Sequence, residues 1–119
     1  GSNWEAALAA AHYGLDNLVI INDKNNLQLA GPTREIMNTD PLAEKWLAFG
    51  MQVTECQGND MASVVATLEE LKQEGKPNVV IAHTTKGAGI SFIQGRAEWH
   101  HRVPKGDEIE QALEELKDA

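Results

Sequence analysis

Asn17-Leu-Val-Ile-Ile-Asn-Asp23 and Asn78-Val-Val-Ile-Ala-His83 are short β-branched runs, each closed by polar residues. Neither alternates apolar with polar side chains, so each is predicted to be a strand buried on both faces, which favours a parallel sheet. Helical patterns flank them. Trp4, Ala7, Leu8, Ala11 and Leu15 fall at helical spacing in an Ala-rich run, predicting a helix near 3–14 with Asn3 as its N-cap. Asp40-Pro41 suits an N-cap followed by Pro at the first helical position, opening a short helix that Gly50 ends. Met51–Cys56 makes a second, weaker strand. Met61, Val64, Val65, Leu68 and Leu71 mark an amphipathic helix over about 60–74, starting near Asn59 or Asp60 and ending at Gly75. Ile109, Ala112, Leu113 and Leu116 form the apolar stripe of an acidic C-terminal helix over 107–119. The resulting order predicts an α/β fold in three layers: a mainly parallel sheet with helices on both faces and right-handed crossovers.

The chain of 119 residues is one domain at most, and 42% hydrophobic content suits an ordinary globular core. It has no apolar run long enough for a membrane span and no basic-then-apolar start of a secretory signal. A single cysteine, Cys56, fits a reducing, cytoplasmic compartment and is expected to be a buried structural thiol. The formal charge of −8 argues against nucleic-acid binding. That charge is uneven: residues 1–82 carry 5 basic and 11 acidic side chains, residues 83–106 carry 4 and 1, and residues 107–119 carry 1 and 6. The basic block holds three of the four histidines and several glycines.

In parallel sheets, ligands gather at the carboxyl ends of the strands, which places the chemistry in Asp23–Gly31 and His83–Arg102. The stretch 24–38 has no sustained period and is predicted to be a long loop. In Asp23-Lys24-Asn25-Asn26-Leu27, an Asn oxygen and a carbonyl two residues on would be neutral, hard ligands for Mg²⁺ or Ca²⁺; taken alone this is a poor signal, since Asn-Asn is more often a plain turn and helix stop. Lys86-Gly87-Ala88-Gly89 lets backbone approach an anion while lysine supplies charge, although such loops are often merely solvated. Trp99-His100-His101-Arg102 is a poor zinc site, because adjacent histidines in an extended segment point in opposite directions and no Cys or carboxylate stands at ligand spacing.

Taken together, these segments resemble the thiamine-diphosphate-binding domain of transketolases, particularly the N-terminal subunit of the split, two-gene bacterial type. The resemblance runs through SNWEAALAAAHYGLDNLVIINDKNNLQLAG, TDPLAEKWLAFGMQV, the GND before the third helix, and H-x-x-K-G-x-G followed by W-H. It implies that Asn25 gives its side-chain oxygen and Leu27 its carbonyl to the divalent metal (Mg²⁺ or Ca²⁺) bridging the diphosphate of thiamine diphosphate. Lys86 is implied to lie near the cofactor. His100 is implied to lie beside the diphosphate and the sugar substrate, as a catalytic group moving protons at a substrate hydroxyl. Glu5, in W-E-A, corresponds to a glutamate of the family's subunit-interface network and is the second catalytic candidate.

The metal-binding Asp of the family's Gly-Asp-Gly triplet falls just before Gly1. The expectation is therefore a single partial domain over 1–119, truncated at its N-terminus and supplying the metal and diphosphate side, with Gly1-Ser2 native or a cloning remnant. Asn26 and His101 stand where the family commonly has Gly; Asn tolerates a left-handed backbone, and His101 adds bulk near the substrate entrance.

The resemblance implies transfer of a two-carbon ketol unit between sugar phosphates, within the pentose phosphate pathway. The complementary C-terminal subunit would be the partner, in a homo-oligomer or heterotetramer. The isolated chain is expected to be inactive. Two alternatives stand beside this: a fragment like the α subunit of a 2-oxo acid dehydrogenase, and a non-catalytic folding or association module.

Overall fold

The computed structural model describes residues 1–117. Its elements in chain order are α1 (Ser2–His12), β1 (Val19–Lys24), β2 (Leu27–Gln28), β3 (Gly31–Pro32) and α2 (Thr33–Ile36). There follow α3 (Leu42–Ala48), β4 (Gln52–Gln57), α4 (Met61–Glu69), β5 (Asn78–His83), a 3-10 turn (Ala97–His100) and α5 (Asp107–Glu115). The last two residues of the acidic segment 107–119 lie outside the described residues. No helix among the described residues is long and apolar enough to cross a membrane. The chain divides into two compact units: one of 1–24 and 39–83, the other of 25–38 and the chain from Thr84 on.

In the first unit, β1, β5 and β4 form a parallel sheet with β5 in the middle. The predicted double burial holds for β5, where Asn78 through Ala82 are all buried and Val79 and Ile81 are almost wholly inaccessible. Burying each such side chain contributes on the order of 1.5–3 kcal/mol. On one face, Val79 and Ile81 pack with Ile20 and Val53 beneath α1 and α3, through Ala7, Ala10, Leu42 and Trp46. Trp4 closes this cluster, stacked on Phe49 at 5.2 Å and tilted against Trp46 at 4.8 Å. On the other face, Val80 and Ala82 pack with Cys56, Val64 and Leu71, so Cys56 is the buried thiol expected. Helices therefore cover both faces of a parallel sheet, as the run of elements predicts.

β1 departs from the expectation: its burial alternates, leaving Val19 40% and Ile21 62% exposed. The cause is position. β1 is an edge strand, and the cluster on the Val80 face takes its side chains from β4, β5 and the α4 region alone. Helix boundaries also shift. α1 begins at Ser2 with Gly1 at the N-cap position, so Asn3 lies inside the helix. Pro41, not Asp40, occupies the N-cap position of α3; Asp40, one residue earlier, gives its carboxylate both to Lys24 and to the N–H of Leu42, the first residue of the helix. Asp60 does cap α4, accepting from the Ala62 N–H at 3.0 Å. That helix ends at Glu69 rather than 74, and the chain beyond it serves the sheet: the Lys72 carbonyl accepts from the buried Asn78 Nδ2 at 2.9 Å.

The second unit contains what the sequence suggests is a featureless loop. Residues 25–38 hold a two-strand antiparallel hairpin, β2 with β3, and the single turn α2. Two-residue strands are too short to show a hydrophobic period, which is why they escape the pattern.

Candidate functional site

Asn25 opens the hairpin segment. Its Oδ1 accepts the Leu27 N–H at 2.9 Å, an Asx turn built from the residue types that favour one. Asn26 then takes φ 60°, the left-handed conformation that Asn tolerates at small cost. The Thr33 N–H donates to the Asn26 carbonyl at 2.9 Å. In an antiparallel ladder, hydrogen-bonded and non-hydrogen-bonded pairs alternate, so the neighbouring pair Leu27–Pro32 is non-bonded and Leu27 turns both its N–H and its C=O to the hairpin's outer edge. Pro32 has no N–H to offer in any case. The Leu27 carbonyl and the Asn25 amide oxygen that holds Leu27's N–H thus share one edge, two neutral hard oxygens of the kind a divalent cation takes.

The segment after β5 is a run of tight turns. The Gly95 N–H donates to the Lys86 carbonyl at 2.9 Å, closing the loop that carries Lys86. Gly87 makes this closure possible: its φ is 68°, and a Cβ there would collide with Ile93. Farther on, Trp99 is buried, tilted against Phe92 at 5.4 Å and covered by the Arg102 guanidinium at 4.2 Å from its ring. Glu108 pairs with Arg102 and accepts the Lys105 N–H, tying this turn to α5. Trp99 therefore anchors the 3-10 turn whose last residue is His100.

These segments line one cleft of about 410 Å³, formed by Asn25, Leu27, Gln28, Leu29, Lys86, Ala97 and His100. The four residues named from the sequence for cofactor and metal binding are all among them. The lining offers an amide oxygen, an ammonium and an imidazole, a donor set that suits a diphosphate held through a divalent cation. Glu5 is not a lining residue: it lies exposed in the first turn of α1. His100 and His101 meet edge to face at 4.5 Å instead of pointing apart, because His100 ends a 3-10 turn and His101 caps it, so neither lies in an extended strand. Among the described residues, no group of three or more His, Cys, Asp or Glu side chains is placed to hold a metal.

Gln28, Leu29 and Ala97 escape sequence reasoning. Leu29 carries a signal only in three dimensions: it takes φ 47° in the hairpin's loop and is 56% exposed, a left-handed conformation uncommon for a bulky residue and most often retained at functional sites.

Comparison with known proteins supplies the chemical context. Residues 1–117 match the family described as transketolase, thiamine diphosphate binding domain. The chain is 75% identical over 118 residues to one of the subunits of apulose-4-phosphate transketolase from Actinobacillus succinogenes, covering 99% of this chain and 43% of that protein. It is 42% identical over 119 residues to the protein of the same name from Phocaeicola vulgatus, covering 99% and 42%. The chain thus spans less than half the length of these curated relatives. Among solved structures, transketolase from Campylobacter jejuni superposes with a TM-score of 0.85 at 30% identity, over 96% of this chain and 18% of that one.

Proposed function

The chain belongs to the transketolase thiamine-diphosphate-binding family, and from that premise we propose that it is the metal and diphosphate side of the cofactor site in a two-subunit transketolase. The observation supporting this reading is the convergence of Asn25, Leu27, Lys86 and His100 on one cleft. Thiamine diphosphate, when bound, supplies the electron sink for cleaving the donor ketose. The Asn25 amide oxygen and the Leu27 carbonyl are the residues that would hold a divalent cation, Mg²⁺ or Ca²⁺, on the diphosphate side of the site. Lys86 adds positive charge beside it, in a loop whose glycines let the backbone come close. His100 takes or gives a proton at a hydroxyl of the bound sugar. Glu5, outside the cleft, belongs to the contact between subunits.

The reaction is transfer of a two-carbon ketol unit between sugar phosphates, with a complementary subunit completing the site. The relative at 75% identity is named for apulose-4-phosphate, and that sugar phosphate is the substrate we assign. Turnover by the whole enzyme, reconstituted from both subunits with thiamine diphosphate and Mg²⁺, tests the assignment. Apulose-4-phosphate should be consumed with kcat/KM at least tenfold above that for fructose-6-phosphate. Turnover of 2-oxo acids in place of ketose phosphates would overturn it and favour the dehydrogenase-like alternative.

A further inference from the structure

The cleft-lining hairpin begins at Asn25, one peptide bond after the last residue of β1. The excursion 25–38 therefore leaves the first unit at Lys24 and returns to it at Thr39. These two ends are fastened to each other. The Lys24 ammonium lies 2.6 Å from Asp40 Oδ1, with its side chain only 22% exposed. From α3, the Lys45 ammonium donates to the Thr39 carbonyl at 2.7 Å and to the Asp40 carbonyl at 3.1 Å. A second pocket, of about 280 Å³, is lined by Lys24 and by three carboxylates, those of Asp40, Glu44 and Glu55. Of the groups that hold the Asp40 carboxyl below its usual range, the Lys24 bond comes first, ahead of the Leu42 N–H and Lys45.

We propose that the Lys24–Asp40 ion pair is a clasp at the base of this excursion, holding together the two chain ends from which the segment carrying Asn25 and Leu27 springs. Lys24 and Asp40 are positioning residues in this sense, and the role rests on the cofactor reading above. The hairpin holds its own shape through Asn25 Oδ1 with the Leu27 N–H and through the Thr33 N–H with the Asn26 carbonyl. The clasp is therefore not needed to fold the hairpin. What it restrains is the separation of the segment's two ends, and loosened ends are costly to ligand residues that a site demands in fixed geometry.

The test uses the whole enzyme carrying Lys24→Met, Asp40→Asn, or the exchanged pair Lys24→Asp with Asp40→Lys. Each single variant should weaken thiamine diphosphate binding in Mg²⁺ about fivefold, the upper range for a partly exposed ion pair, with kcat at saturating cofactor unchanged. The exchanged pair should recover most of the loss. A readout without cofactor is amide hydrogen exchange: in the single variants, exchange should quicken across 25–38 while β5 stays protected. Unchanged affinity and unchanged exchange in both single variants would overturn the clasp, as would an exchanged pair worse than either single variant. If the unsubstituted enzyme fails to bind thiamine diphosphate, the cofactor reading fails, and the exchange experiment still decides whether the clasp exists.

Discussion

The Glu115 carboxylate takes two hydrogen bonds from one residue, Ser91: the backbone N–H reaches Oε2 at 2.5 Å and the hydroxyl reaches Oε1 at 2.7 Å. Gln111, one turn earlier on α5, adds a third at 2.9 Å to Oε1. The Ser91 N–H first, then Gln111 and the Ser91 hydroxyl, hold the Glu115 carboxyl below the usual glutamate range. A depressed carboxyl stabilises the folded state above its unfolded pKa, and that stabilisation is lost as pH falls through the folded value. Wild type should therefore melt higher than Glu115→Gln near neutrality. The gap should close as pH drops below the ordinary glutamate range, which paired melts at pH 7 and at successively more acid pH would show. A gap that is constant with pH would mean that the anion does not tie α5 to this loop.

Gly87 and Gly95 both have positive φ, yet substitution should separate them sharply. A Cβ at Gly95 meets nothing within 4 Å, so Gly95→Ala carries only the left-handed backbone cost of about 1–2 kcal/mol. A Cβ at Gly87 collides with the Ile93 Cγ2 and presses on the Ile93 backbone carbon at 3.3 Å, so Gly87→Ala adds a displacement within the turn that carries Lys86. Gly87→Ala should cost about 1–3 kcal/mol more than Gly95→Ala and should alone weaken cofactor binding. Denaturant melts and cofactor titrations of the two variants make the comparison.

The parallel sheet was legible because β5 is apolar without a break, and a strand buried on both faces has no other way to look. The same inference overreached at β1, whose first half is just as apolar: β1 has a neighbour on one side only, which no local pattern encodes. Asn25 and Leu27 were legible as a pair of hard oxygens, and Asn26 as a left-handed residue. That Leu27 faces the outer edge depends on the Asn26–Thr33 bond, a contact seven residues apart that spacing alone does not reveal. The Lys24–Asp40 pair was illegible for a related reason: Asp40 looks like a residue of the helix start, which its bond from the Leu42 N–H makes it, and nothing local shows that a cation from another element shares its carboxylate. Trp99 likewise looks like one aromatic among basic residues until Arg102 and Phe92 close over it.

Leu29 combines a strained backbone with an exposed apolar side chain on the cleft wall. Leu29→Gly should remove strain of about 1–2 kcal/mol at φ 47° while adding backbone entropy to the unfolded chain, so the melting temperature should change little. Cofactor affinity should nevertheless fall, since the wall loses its apolar surface. Leu29→Asn, which tolerates the same backbone, separates the two effects: equal loss of affinity in both variants would assign the role to the side chain. Retained affinity in either would show that the leucine is not part of the cofactor contact.

Asn25 has two tasks, and conservative and severe substitutions should divide them. Its Oδ1 holds the Leu27 N–H at 2.9 Å and, in the proposed role, also faces the cation. Asn25→Ala removes both. The local hydrogen bond is worth about 1 kcal/mol. Losing a ligand to the cation as well should weaken cofactor binding in Mg²⁺ by more than the roughly fivefold that such a loss of order alone would bring. Asn25→Asp keeps an acceptor for the Leu27 N–H and adds charge. It should therefore preserve the hairpin's exchange protection and bind the divalent ion at least as tightly as wild type. If Asn25→Ala instead loses only what the turn accounts for, with the same apparent Mg²⁺ requirement as wild type, then Asn25 shapes the hairpin and the cation is held elsewhere.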